Sequence, residues 1–474
     1  MKYIIFTLNG EGLPLAYHLQ QEGHDVLVGQ VQNENDTLTR IEKISDGNEK
    51  ENSIETIRRL HLYDNILEKL PADKLVEKME DFKNPKEFFV FFDMNNLFRY
   101  ADKVRHMRFH GNFPTQRDRL FEIDRDASKD FVQKYYPDLA IAKKKEFSTI
   151  GQADRFLKKT EQIWVLKGKN ESAQTFVPET NEPELANRQI MEALEAFTEN
   201  YEKSGFILEE KIPSVIEITP EKIYYDGEPL GMTINFENKP LGSGNLSLQT
   251  GCAADLVFPV DMENKIHDIA FPPIVDKMAK RRKGLFIWDA SLLFNQETDQ
   301  VYFGEFCPNR PGYNSFFTEL SQLPSANHFF ESVVKKKNPY ELGTVGSSVT
   351  LFNLYRDPND RHVLSGASVD YTPEVEKDVW LFDVYKKAPL DKMRIVGYDW
   401  TLAPITGAGT TIDQAVDNVY KNIENFSLAG VYYRPKSDYL SLDYPTSILN
   451  RLNYALENRL FQLPFYAKIS IYTS

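Results

Sequence analysis

The chain has 474 residues, with 70 Asp and Glu against 56 Lys and Arg for a net charge of −14. That balance excludes a general nucleic-acid binder, whose affinity rests on Lys and Arg contacts to phosphates, but leaves room for a local basic pocket around one phosphorylated ligand. Its two cysteines, Cys252 and Cys307, exclude a disulfide scaffold and a cysteine-rich metal site, and no apolar run approaches the roughly 18 residues that span a bilayer. The start carries no leader pattern, so the chain is expected in the cytoplasm with both thiols reduced. The length suggests about three domains.

The first elements read as strand, loop, helix, strand. Tyr3 to Thr7 is an apolar strand, Leu8-Asn9-Gly10-Glu11-Gly12 a turn, and Pro14 suits the first position of a helix that Gly23 stops. Asp25 to Gly29 is the next strand, which opens a parallel, doubly wound α/β sheet. The Gly-x-Gly turn lacks the third glycine of a dinucleotide fingerprint and does not by itself carry a nucleotide. Residues 31–53 are polar and read as an exposed loop. Phe88 to Phe92 is apolar throughout, as a strand covered on both faces must be, and Asp93 follows at its carboxyl end, where such sheets gather ligands. His106 and His110 have helical spacing, but no acidic or cysteine partner stands nearby, so packing is the expected role.

From Leu120 the pattern changes. Asp126 to Asp130 opens a short helix, Ala140 to Lys143 reads as a strand, Gly151 to Lys159 as a helix, and Ile163 to Lys167 as a strand followed by a polar loop to Thr175. Pro183 begins an amphipathic helix through Ile190, Leu194, Phe197 and Tyr201, and Phe206 to Glu209 is a strand. Residues 222–258 read as antiparallel hairpins with Asp226-Gly227 as a turn. Strands follow at Gly284 to Leu293 and Val301 to Phe306, then a third unit over 345–435 with one clear helix from Ile412, and a Leu- and Tyr-rich tail over 440–474.

Four features in this order make chemical sense together. Lys167, at a strand end, can reach nucleotide phosphates. Glu209 and Glu210 beside an apolar strand suit an adenine edge and ribose hydroxyls. Asp289 and Glu305, on strands joined by a turn, suit Mg²⁺ between phosphates, because that ion takes hard oxygen ligands. Asn309 can complete a metal shell, and Arg310 can hold a phosphate bidentately. Cys307 reads as a buried, inert strand thiol.

These features, with others, resemble the phosphoribosylamine–glycine ligase family of ATP-grasp enzymes, also called glycinamide ribonucleotide synthetases, over about residues 1–437. The family's Ser-Lys-x-Phe helix is matched by Ser128-Lys129-Asp130-Phe131. Its Val-Val-Lys strand is matched by Val165-Leu166-Lys167, its Ile-Glu-Glu hinge by Leu208-Glu209-Glu210, and its Glu-Phe-Asn-x-Arg metal strand by Glu305-Phe306-Cys307-Pro308-Asn309-Arg310. The most specific match is Thr406-Gly407-Ala408-Gly409-Thr410, then Ala415, Tyr420 and Tyr432-Tyr433-Arg434.

The resemblance implies an ATP-grasp fold: a doubly wound domain over 1–118, a grasp domain over 119–338, a small α+β domain over 339–439 and an extension over 440–474. It implies an ATP- and Mg²⁺-dependent ligase of purine biosynthesis that joins an amino acid to an amine through an acyl phosphate, as a monomer or small homo-oligomer. Lys129, Lys167, Glu209, Glu210 and Glu217 are implied for ATP, and Asp289, Glu305 and Asn309 for metal. Arg310 and Lys167 are implied for catalysis, and Gly10, Asp93, Asn245, Gly312, Tyr313 and Asn314 for the substrates.

The sequence also departs from the family. The glycine-rich flap is Lys169-Asn170-Glu171-Ser172-Ala173-Gln174-Thr175, which offers fewer freely oriented backbone N–H groups to phosphates. The metal-strand Asn is Cys307, and Asn309 replaces it only if the backbone bulges. The Gly-Asp-Pro-Glu that follows is Pro311-Gly312-Tyr313-Asn314-Ser315, the first domain's Gly-Pro-Glu segment is Asp93-Met94-Asn95-Asn96, and the substrate-surrounding stretch is altered over Gly242–Cys252. The ATP side is largely kept and the acceptor side largely changed. This pattern leaves room for a different amine, on a nucleotide or elsewhere, or for a relative that only binds a ligand or protein partner.

Overall fold

The computed structural model describes residues 1–33, 54–168, 175–178, 180–213, 215–309, 313–354, 365–444 and 446–463. Among them no helix is long and apolar enough to cross a membrane.

The first layer is a parallel sheet of β1 (Lys2–Thr7), β2 (Val26–Gln30), β3 (Lys69–Pro71), β4 (Phe88–Phe92) and β5 (His110–Gly111), in the order β3-β2-β1-β4-β5. Both faces are buried, which explains the unbroken apolar runs: Ile5 and Phe91 face one core, Ile4, Phe6, Val90 and Phe92 the other. The order reverses between β1 and β4, so the Gly10–Gly12 turn and Asp93 meet at the switch point.

A small antiparallel sheet follows, made of β6 (Lys144–Phe147), β7 (Trp164–Gly168) and β8 (Phe206–Glu210) with β8 in the centre. It packs on the helices Ile150–Leu157 and Pro183–Ala196 through Ala153, Leu157, Ile190 and Leu194.

The largest sheet has β9 (Val215–Tyr225), β10 (Glu228–Gly242), β11 (Leu246–Val260), β12 (Leu285–Asn295), β13 (Val301–Phe306) and β14 (Val345–Asn353). After the short pairs made by β15 (Asp370–Tyr371), β16 (Val384–Tyr385), β17 (Arg394–Ile395) and β19 (Phe426–Ser427), the strands β18 (Thr401–Gly409) and β20 (Val431–Tyr432) complete it. Its path is β13-β12-β9-β10-β11-β14-β18, with β20 on β14. Pairing of β11 with β14, at Asp255 and Ser348 for example, carries one sheet across the expected boundary near residue 338. The β9–β10 hairpin turns at Asp226 and Gly227, both with positive φ (49° and 81°), the conformation that matches strand twist.

Several local expectations change. Ala140 makes only a single bridge to Tyr302, and the strand begins at Lys144, after the chain leaves Tyr136-Pro137. His106 and His110 do not share a helix. The helix ends at Val104, and His110 lies in β5 with its Nδ1 2.5 Å from the Tyr225 hydroxyl. Cys307 lies just past β13 and is half-buried; Cys252 is buried, and neither forms a disulfide. The tail is not loose over its described part. Ser447 caps the helix Ile448–Glu457, whose Leu449, Leu452 and Ala455 join the main core with Phe461. Much of the 31–53 loop, the flap over 169–174 and residues 464–474 lie outside the described residues.

Gly284 (φ 75°) opens β12 against β5: a Cβ there would sit 2.0 Å from the Gly111 carbonyl oxygen. Gly284→Ala is therefore expected to destabilise by about 1–3 kcal/mol, through the positive φ and a backbone that cannot yield. Urea unfolding checks this, and an unchanged midpoint would remove the close approach as a constraint.

Candidate active site

Residues of the small sheet converge on one carboxylate. Glu209, at the end of β8, pairs through one oxygen with the Lys129 ammonium, from the helix Arg125–Tyr135, and through the other with that of Lys167, from β7. Antiparallel register sets this up, because Val165 faces Glu209 and brings the end of β7 alongside it. Burial pushes the Glu209 carboxyl up, but the two ammonium groups outweigh it and hold the pKa at about 2. Burial lowers Lys167, and Glu209 opposes that shift. Glu210 points elsewhere, accepting from Gln162 Nε2 at 2.8 Å with Lys143 3.9 Å away.

The second half of the site lies on one face of the large sheet. Odd-numbered residues of β9 and β10 share this face: Glu217, Thr219 and Glu221 with Thr233, Asn235, Glu237 and Lys239. Asp255 of β11 lies opposite Glu237, and Asp289 of β12 opposite Glu221. Lys239 Nζ sits 3.1 Å from Glu305 and 3.4 Å from Glu217, and Ser291 donates to Glu217 at 2.7 Å. Lys239 holds the Glu305 pKa at about 2 against the effect of burial. Burial, then Glu237 and Glu305, pushes Asp289 well above the usual carboxylate range. Lys167 and Arg125 also help to lower Glu305, so the two halves face each other electrostatically.

Asn309 lies beyond the end of β13 with φ 57°, a left-handed turn after Cys307-Pro308. Its N–H bonds the Ile287 carbonyl at 2.6 Å, and its side chain is 2% exposed with neither amide atom partnered. A buried amide left without partners suits a ligand shell more than a core. Asn95, from the loop after β4, donates to the Pro308 carbonyl at 2.7 Å and braces this turn.

Thus Lys129, Lys167 and Glu209 come together, and Asp289 and Glu305 lie on the paired strands β12 and β13, with Asn309 just beyond, its N–H on the Ile287 carbonyl. Glu217 belongs with this second group rather than with Glu210. Gly10 (φ 92°) shapes the first turn, and Asp93 accepts from the Gly12 N–H at 2.8 Å. Asn245 donates to Thr446 of the tail at 3.0 Å. Asn314 is buried at the start of the helix Tyr313–Ser321, donating to Thr350 and to the Cys252 carbonyl at 3.1 Å. Arg310 and Gly312 lie outside the described residues, as does the Tyr313 side chain.

Sequence reasoning missed Lys239, Glu237, Asp255 and Arg451. The alternation of β10 from Thr233 to Lys239 was the available signal. Arg451, in the tail helix, reaches the Glu237 carbonyl and Asn238 side chain, each at 2.7 Å, behind the charged face.

No family model and no curated protein sequence matches the chain. Solved structures do match. A Thermotoga maritima phosphoribosylamine–glycine ligase aligns with 14% identity over 92% of this chain and 99% of its own, with TM-score 0.60. The biotin carboxylase domain of Hydrogenobacter thermophilus 2-oxoglutarate carboxylase, solved with MgADP, ADP and bicarbonate, aligns at 12% over 97% and 96%, TM-score 0.54. A Campylobacter jejuni biotin carboxylase, solved in a β,γ-ATP complex, aligns at 12% over 97% of each chain, TM-score 0.52. The chain has the ATP-grasp fold. Within that fold the small sheet and the charged face of the large sheet each carry a charged set, and Lys167 and Arg125 of the first lower the Glu305 carboxyl of the second.

The Glu209 carboxyl gives a pH prediction. With its folded pKa near 2 and an unfolded value near 4.5, the unfolded chain binds the proton more readily. The contribution is complete above about pH 4.5 and is lost as pH falls toward 2. Urea unfolding of wild type and Glu209→Gln should show a stability gap that shrinks over this window. A gap that stays constant would show that the lysines do not depress this carboxyl.

Proposed function

We propose that the protein is an ATP- and Mg²⁺-dependent, ADP-forming ligase that joins a carboxylate to an amine. The observation that carries this reading is two facing sets: Lys129 and Lys167 on Glu209 in one jaw, and Asp289, Glu305 and the unpartnered Asn309 in the other. The donor sets fit the groups they would take. Lys129 and Lys167 would meet phosphate oxygens, exchanging part of their contact with Glu209. Asp289, Glu305 and Asn309 supply the hard oxygens Mg²⁺ needs, and that ion would neutralise charge on the transferring phosphoryl group. Glu209 and Glu210 would take ribose and adenine contacts, Glu209 giving up part of its pairing with the lysines and Glu210 turning from Gln162. Lys239, between Glu217 and Glu305, keeps both carboxylates ionised. In the reaction a substrate carboxylate oxygen bonds to the γ-phosphorus as the bond to ADP breaks. The amine then attacks the acyl carbon and phosphate leaves. Jaw closure keeps water from the acyl phosphate.

Mg·ATP at about 100 times its dissociation constant should stabilise the protein by roughly 2.7 kcal/mol. Lys167→Met and Glu305→Gln should each cut ADP release by about 10²–10³ while leaving circular dichroism unchanged. Full activity in either folded variant would remove these residues from the site.

One observation favours an acceptor other than phosphoribosylamine. Asn314 and Ser315, in the segment where the resembled family carries Asp-Pro-Glu, turn into the sheet: Asn314 onto Thr350 and the Cys252 carbonyl, and Ser315 onto Glu237 at 3.1 Å. A lost charged partner weakens the group it held by about 1.5–3 kcal/mol, roughly 10- to 150-fold. Glycine with freshly made phosphoribosylamine should therefore be turned over with kcat/KM lower by that factor than by an ordinary phosphoribosylamine–glycine ligase. Efficiency within tenfold would restore the purine-pathway reading.

A further inference from the structure

On the charged face, next to the groups assigned to Mg·ATP but made of other residues, Glu237, Cys252 and Asp255 form a compact set. One ligand atom from each lies within 4.8 Å of the others. An irregular register between Asn238 and Pro240 of β10 lets Cys252 join two residues that face each other across the β10–β11 pair. Asp255 is 0% exposed, and neither of its carboxylate oxygens makes a hydrogen bond of good geometry; the neighbouring Ser315 hydroxyl donates to Glu237 instead. A buried carboxylate left this way is costly unless it is protonated or bound to a cation.

The surroundings match a metal site. The Cys252 thiol donates to the Ala254 carbonyl at 3.3 Å, a proton that a bound metal would replace, and the Asn314 amide donates to the Cys252 carbonyl at 3.1 Å, an outer contact that steadies the backbone of a thiolate ligand. Glu237 is half-buried and gives a path from the cleft, while Cys252 and Asp255 lie behind it. Lys239 and Arg451 stand near enough to offset the negative charge of two carboxylates and a thiolate around a dication.

We propose that Glu237, Cys252 and Asp255 bind one divalent ion of the zinc class, with the fourth position open toward the cleft. A thiolate joined to two carboxylates on paired strands suits zinc or cobalt rather than magnesium, and three protein ligands leave one place for water or a substrate group. Burial pushes the Cys252 thiol and the Asp255 carboxyl up, so binding releases protons and weakens as pH falls. The site does not depend on the ligase reading, since its residues are distinct from those assigned to nucleotide or Mg²⁺.

The test uses the full chain in a Cys307→Ser background, which leaves one thiol. After chelator treatment it is titrated with Co²⁺, and Zn²⁺ retention is measured by dialysis and elemental analysis. The expected result is one equivalent of metal and a thiolate-to-cobalt absorption band in the near ultraviolet. Cys252→Ser should abolish the band, Asp255→Asn should weaken binding at least about tenfold, and Glu305→Gln should leave both unchanged. If Cys252→Ser does not fold, the band in the Cys307→Ser protein and protection of Cys252 from alkylation by Zn²⁺ decide. A folded protein with no band and no protected thiol would overturn the site and make the trio a set of protonated acids. Binding that Glu305→Gln removes would also overturn it, placing the ion in the Mg·ATP set.

Discussion

Lys239 is the charge on which the cleft depends. One sheet face carries Glu217, Glu221, Glu237, Asp255 and Asp289, with Glu305 at its edge, and Lys239 lies between Glu217 and Glu305. Like charges this close cannot all ionise. Glu217 and Glu305, paired with Lys239, are held low, whereas Glu237, Asp289, Asp255 and Glu221 are pushed up by burial and by their neighbours. A single ammonium therefore sorts the face into ionised acids beside it and neutral acids further in. Deeper still, Glu319 accepts from Thr233 at 2.6 Å and from the Tyr340 hydroxyl, and burial raises it to about 7.

The small sheet solves the same problem in reverse. There two ammonium groups share one carboxylate, and Arg125 adds further positive charge near Lys167. One jaw thus carries excess cation and the other excess anion. Such an arrangement suits a ligand that is itself a polyanion with a dication attached: phosphates toward the lysines, the metal toward the acids.

The sequence revealed the apolar skeleton well. Strands buried on both faces, such as Phe88–Phe92, have no other reading, and Asp226-Gly227 marked its hairpin because few residue pairs accept two positive φ angles. Chain order and strand ends picked out Lys167, Glu209, Asp289 and Glu305, and the structure sets Lys167 on Glu209 and Asp289 and Glu305 on paired strands. The acidic face was not. Thr233, Asn235, Glu237 and Lys239 alternate with Ile234, Phe236 and Asn238, and alone that pattern describes a strand with one face in water. The helix Tyr313–Ser321 folds over the polar side, with Ser315 on Glu237 and Glu319 on Thr233, and periodicity carries no record of that covering. Arg310 and Gly312 stay expectations, because they lie outside the described residues.

The tail had the least legible role, for a related reason. The spacing of Ile448, Leu449, Leu452 and Ala455 announces an amphipathic helix, but not its seat. Its seat is the reverse of the charged face, where the even-numbered residues of β9 and β10 are apolar: Ile216, Ile218, Ile234 and Phe236 join the same core as Leu452 and Phe461. Through that sheet Arg451 reaches the carbonyls of Glu217 and Glu237, at 3.3 and 2.7 Å. Upstream, Asp438 accepts from the Gly244 N–H at 2.7 Å, and the Asn245 amide donates to Thr446. The turn between β10 and β11 is thus held from below by the tail, and the backbone that carries Glu217, Glu237 and Lys239 is held by its arginine. Acids that must stay crowded on one face need a backbone that cannot relax apart. The C-terminal segment supplies that restraint from the side opposite the charged face.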